Sequence, residues 1–117
     1  MQNYKDLKVW EKSHSFTLQV YAATKDFPKE EMYSLTNQIR RSASSIAANI
    51  AEGCGKKSNL EFAHYLNIAL GSANESEYFL LLSKDLKYLS EENYDSLFLL
   101  INEIKSMLIK LINKVRS

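Results

Sequence analysis

Breaks in a regular backbone are scarce in this chain: its 117 residues include one proline and three glycines. Pro28 follows Phe27, and Gly53 and Gly55 flank Cys54, so long stretches between them are free to run without interruption. Proline removes an amide donor and glycine carries excess backbone entropy, so a chain that lacks both is suited to long regular elements. Apolar residues recur at three- and four-residue steps rather than alternating, which selects helix over strand.

The spacing predicts a first helix from about Asp6 to Lys25, with Leu7, Trp10, His14, Thr17 or Leu18, Tyr21 and Lys25 on one stripe and Asp6 as N-cap. Phe27-Pro28 ends it, because the residue before a proline is pushed out of helical geometry. A second helix begins between Lys29 and Leu35 and reaches about Glu52, on the stripe Leu35, Ile39, Ala43, Ile46 and Ile50. Small residues are dense along it, so neighbours can approach from more than one side. Gly53-Cys54-Gly55 is read as its stop, leaving Cys54 in an exposed loop. Ser58-Asn59-Leu60-Glu61 is a capping-box opening for a third helix running to about Leu89, in which Gly71 marks close packing. Ser90 caps a fourth, whose Tyr94, Leu97, Ile101, Ile104, Leu108, Leu111 and Val115 follow a 3-4-3-4 spacing. Its further apolar residues exceed the stripe of about 100° that a bundle helix needs, which points to burial against another subunit.

Four long helices with short links make an all-α, antiparallel up-down-up-down four-helix bundle, expected as a single domain over residues 1–117. An apolar fraction of 45% excludes disorder, and no run approaches the roughly 20 apolar residues of a membrane span. The opening Met1-Gln2-Asn3-Tyr4-Lys5-Asp6 lacks a signal-peptide core, and the lone Cys54 excludes an internal disulfide and fits a reducing compartment. A cytoplasmic location is therefore expected.

Net charge is only +1, but it is unevenly spread. Residues 36–60 carry Arg40, Arg41, Lys56 and Lys57 against Glu52; residues 61–95 hold two lysines against seven acids; the last stretch regains Lys110, Lys114 and Arg116. Positive segments of this kind are candidate phosphate contacts. The competing reading is a set of solvated helix faces that attract one another within the bundle or between subunits.

Glu11-x-x-His14 and Glu61-x-x-His64 each match the spacing of a di-iron bundle, with Glu52 and Glu103 as the further carboxylates required. Capping by Glu61 and ordinary bundle histidines is the favoured alternative, so neither a metal nor a cofactor is expected. Cys54 has no identifiable base, and its neighbourhood has the wrong glycine spacing for a phosphate loop. Gln38, Arg41, Ser45, Asn49 and Glu52 form a polar strip beside the apolar stripe of the second helix, with Glu75 placed to face it. Two readings are open: a buried network that fixes register, or a solvated face.

Tyr4-Lys5-Asp6-Leu7-Lys8-Val9-Trp10, the run Gln38-Ile39-Arg40-Arg41-Ser42-Ala43-Ser44-Ser45-Ile46-Ala47-Ala48-Asn49-Ile50-Ala51-Glu52-Gly53, and Ala69-Leu70-Gly71-Ser72-Ala73-Asn74-Glu75 resemble the motifs of one family. It comprises the four-helix-bundle proteins encoded within intervening sequences of bacterial 23S rRNA genes; Ser42 replaces their commoner alanine. The resemblance implies a ring-shaped homopentamer and a relation to the accessory protein of diversity-generating retroelements, which binds nucleic acid through a basic surface. It brings no catalytic residues. The expectation is a non-enzymatic homo-oligomer that binds RNA or DNA through Arg40, Arg41, Lys56, Lys57, Lys110, Lys114 and Arg116; the alternative is a scaffold that binds only protein.

Overall fold

The computed structural model describes residues 2–117, so Met1 of the expected domain lies outside them. Four helices, α1 (Lys8–Ala23), α2 (Leu35–Cys54), α3 (Asn59–Asp85) and α4 (Glu91–Arg116), are joined by short connections, with 3-10 turns at Tyr4–Asp6 and Lys29–Glu31. The described residues contain no strand. No helix among them is long and apolar enough to cross a membrane.

Each helix touches two others: α1 packs on α2 and α4, and α3 packs on α2 and α4, which leaves a central core. Ile39, Ala43, Ile46 and Ile50 meet Leu66, Ala69, Ala73 and Leu80 there, with Leu97, Ile101, Ile104 and Leu108 completing it. Hydroxyl pairs cross the α2–α3 seam: Ser76 donates to Ser42 at 2.9 Å and Ser72 to Ser45 at 3.0 Å. Numbering therefore rises along α2 as it falls along α3. Thr17 to the Ala43 carbonyl and Arg40 to Thr24 give the same sense for α1 and α2.

The buried face of α1 differs from the expected one. Val9, Ser13, Phe16, Val20 and the flanking Thr24 are buried, whereas His14, Leu18 and Tyr21 are exposed. Adjacent residues lie about 100° apart on a helix, so two stripes offset by one residue compete. The winning stripe holds the wholly apolar Phe16 and Val20. Its hydroxyls are satisfied locally, Ser13 donating to the Val9 carbonyl at 2.6 Å and Thr24 to the Val20 carbonyl at 2.8 Å. Trp10 and Tyr21, each with a polar tip, take the rim.

Asp6 does not cap α1. It closes the 3-10 turn, which Asn3 caps, and Leu7 occupies the N-cap position without a side-chain bond. Tyr4 packs edge-on against Trp10 at 4.9 Å, folding this segment onto α1. At the other end of α2, Gly53 lies inside the helix and Gly55 is the C-cap in right-handed geometry. A Cβ on Gly53 would stand 3.0 Å from both Phe62 and Tyr65, so its absence lets α3 close on α2. Gly71, by contrast, is exposed with open space around its Cβ direction, so it marks no close packing within the protomer.

Ser58 and Ser90 cap as expected, accepting from the backbone N–H of Glu61 and of Asn93, each at 3.1 Å. The Glu61 carboxylate in turn accepts from the Ser58 hydroxyl. α3 stops at Asp85, four residues early, where Lys87 turns left-handed at φ 65°. On α4 the buried stripe continues to Ile112 rather than Leu111, the drift expected when a seven-residue repeat is laid on 3.6 residues per turn.

Candidate nucleic-acid interface

The helix pairing collects the N-terminal segment, the α2–α3 connection and the last turns of α4 at one end of a body 43 Å long. The Gln2 amide donates to the Cys54 carbonyl at 3.1 Å, and Arg116 shares a recess with Leu60, Glu61 and His64. This end carries Lys5, Lys8, Lys56, Lys57, Lys110, Lys114 and Arg116 against Asp6, Glu52 and Glu61. At the opposite end Tyr88 meets Phe27 and Glu31, and Lys84 lies over Tyr94. There Lys25, Lys29, Lys84 and Lys87 face Asp26, Glu30, Glu31, Asp85, Glu91, Glu92 and Asp95. A chain of net charge +1 is thus polarised along its length.

The seven candidate cations differ in availability. Arg40 is half-buried near the end of α1; its Nε donates to Thr24 Oγ1 at 2.8 Å and its guanidinium lies 4.6 Å from the Tyr21 ring centroid, so it ties α2 to α1. Lys56 is also half-buried, 3.3 Å from Glu52 Oε2 and 5.2 Å from the Tyr65 ring centroid. The Glu52 hydrogen bond pushes its pKa up, so its charge is secure but shared. Arg41, Lys57, Lys110, Lys114 and Arg116 are exposed and make no ion pair among the described residues. Lys57, Lys110, Lys114 and Arg116 lie at the basic end; Arg41 does not.

The polar strip is not a buried network within the protomer. Gln38, Arg41, Glu52 and Glu75 are exposed, and only Ser45 and Asn49 are half-buried. The small Ser42, Ser45, Ser72 and Ser76 already fill the α2–α3 seam, which leaves the longer side chains on its outer rim. Asn49 turns back on its own helix, donating to the Ser45 carbonyl at 2.8 Å and hydroxyl at 2.9 Å. Gln38, Arg41, Ser42, Ser45 and Glu75 line an open groove of about 340 Å³ with Asn37 and Phe79.

The metal constellation does not assemble either. Glu11, His14, Glu61 and His64 are all exposed, and the α1 and α3 backbones lie diagonally across the bundle without close approach. His14 stacks on Trp10 at 5.1 Å, and His64 stands edge-on to Tyr65. The described residues contain no group of three potential metal ligands. Cys54 is buried rather than loop-exposed: α2 runs two residues past Glu52 and the N-terminal segment covers its end. Burial pushes its thiol pKa up, which suppresses nucleophilic chemistry.

The sequence reading did not single out the recess of about 450 Å³ lined by Leu60, Glu61, His64, Tyr65, Asn67 and Arg116. Only pairing α3 with α4 brings Arg116 to Leu60.

Residues 5–110 match the family described as 23S rRNA-intervening sequence protein. The fold is similar to the crystal structure of a protein of unknown function from the S23 ribosomal protein family of Bacteroides thetaiotaomicron VPI-5482. The two share 37% identity with a TM-score of 0.83, over 90% of this chain and 95% of that one. No curated protein matches the chain.

Proposed function

The chain belongs to the 23S rRNA-intervening sequence protein family, and from that premise we propose a non-enzymatic, cytoplasmic, homo-oligomeric bundle that binds RNA or DNA through its basic end. The observation that carries this reading is the lengthwise separation of charge, which sets Lys57, Lys110, Lys114 and Arg116 together and exposed. Phosphate contacts of this kind supply most sequence-independent affinity, and weak overall charge matters less when the cations share one face. The bundle is read as up-down-up-down and antiparallel, supported by the opposed numbering across its seams.

Self-association is supported by apolar surface that one copy leaves in water. Leu60, Ile68, Tyr78 and Leu81 on α3 are exposed, as are Leu99 and Ile109 on α4. Burial of these side chains against a second copy would remove them from water. The family resemblance makes a pentamer the assembly to expect, and an accessory role is the one we propose for it.

The test is retention of RNA and DNA oligonucleotides at low salt, followed by a salt titration. Each phosphate contact steepens the log–log slope by about 0.7 to 0.9. Lys57→Ala with Lys114→Ala is expected to weaken binding and flatten that slope by between one and two units. The scaffold reading, which the engagement of Arg40 and Lys56 within the protomer favours, instead expects no retention even at low salt.

A further inference from the structure

We infer that the recess between the start of α3 and the end of α4 takes an unpaired nucleobase, so that the protein prefers single-stranded to duplex nucleic acid. The inference rests on the nucleic-acid reading above and names which form that site accepts. Its lining suits a flat ring with a polar edge. Leu60, 78% exposed, gives an apolar rim, and His64 offers an imidazole at 77° to the Tyr65 ring with centroids 5.5 Å apart. Lys56 covers one face of Tyr65, so His64 is the open plate. Arg116 contributes a planar guanidinium, which stacks on rings as well as pairing with phosphate. Asn67 donates to the Ala63 carbonyl at 3.1 Å, and its Oδ1 has no partner among the described residues, which leaves an acceptor for an exocyclic amino group.

Charge argues for the base rather than the phosphate inside. Glu61 lines the recess, and its carboxylate disfavours a phosphate there while accepting hydrogen bonds from a base edge. Lys57 and Lys114, exposed at the same end, are placed for the flanking phosphodiesters. In a duplex the base faces are hidden by their neighbours, so only an unpaired base can stack in such a recess.

The experiment compares the full chain's affinity for a single strand of about twelve nucleotides, within the usual span of a strand-binding site, with that for its matched duplex, as RNA and as DNA, at low salt. Single strands are expected to bind about tenfold more tightly, in line with one stacked base. A 2-aminopurine within the strand is expected to lose fluorescence on binding. His64→Ala, or Leu60→Ser as an independent change, should lower single-strand affinity to the duplex level and leave duplex binding unaltered. Lys57→Glu should weaken both alike. Equal binding of strand and duplex by the native protein, or a His64→Ala preference identical to it, overturns the inference while the nucleic-acid reading stands. Failure to bind either form overturns both.

Discussion

The Ser76 hydroxyl donates to Ser42 at 2.9 Å across the α2–α3 seam, and the Ser42 hydroxyl in turn donates to the Ile39 carbonyl at 3.1 Å. Both serines are buried. Small side chains let the two helices approach, and the relay leaves neither hydroxyl without a partner. Ser42 is therefore tied into the seam by both of its hydrogen bonds.

Substitution separates the roles. Ser76→Ala removes one donor and leaves Ser42 bonded, with an expected loss of about 1 kcal/mol. Ser42→Ala strands a buried Ser76 hydroxyl and is expected to lose about 1–3 kcal/mol. The double variant should lose less than the two together, since no buried hydroxyl remains unpaired. Urea unfolding of all four proteins checks this; strict additivity would show that the relay does not couple the helices.

Two helical glycines should respond in opposite directions. Gly53→Ala places a Cβ 3.0 Å from Phe62 and Tyr65, and is expected to destabilise by about 1–3 kcal/mol, enough to outweigh its gain in helix propensity. Gly71→Ala meets open space and should stabilise by about 1 kcal/mol. Thermal unfolding of the two variants at equal protein concentration reads the contrast.

The Tyr88 hydroxyl donates to Glu31 Oε2 at 3.0 Å and ties the two connections at the acidic end. The Ser34 hydroxyl first, and Tyr88 next, hold the Glu31 carboxyl below its ordinary 4.5; the same bond to Glu31 pushes Tyr88 above its ordinary 10.0. A depressed carboxyl pKa gives stability that is complete above 4.5 and is lost as pH falls through the folded value. A raised tyrosine pKa gives stability that is complete below 10.0 and is lost as pH climbs through the folded value. Tyr88→Phe should therefore shrink the acid loss, which Ser34 still sustains, and remove this alkaline loss. Tm measured across pH decides it; a profile unchanged at both flanks would mean the tie has no thermodynamic weight.

Cys54 should react with a disulfide reagent at mildly alkaline pH only as fast as the end of α2 opens, because it is buried and its thiolate is disfavoured. Urea below the unfolding midpoint should speed the reaction, and Gly53→Ala should do the same by loosening the Phe62 and Tyr65 contact. Immediate labelling of the native protein would show that the N-terminal segment does not cover the thiol.

Helix starts were legible where a side chain performs a local act: Ser58 and Ser90 cap in their own first turns, and Pro28 forbids continuation. The α4 core was equally plain because Leu97, Ile101, Ile104 and Leu108 have no competing stripe. On α1 the Trp10-based and Phe16-based stripes satisfy the same spacing, and only packing against α2 and α4 chooses between them. Cys54, the polar strip and Gly71 share another difficulty. Whether each is covered depends on a segment distant in sequence, as Gln2 is from Cys54. The recess beside Arg116 exists only once α3 and α4 lie side by side.

A molecule with an excess of cations at one tip and of acids at the other carries a permanent dipole roughly parallel to its long axis. If it binds nucleic acid as proposed, each copy would turn in the field of the polyanion before contact and present its acidic tip to solvent. Those outward tips repel a further strand, and the protein would coat a nucleic acid as a layer one molecule deep instead of condensing several strands together.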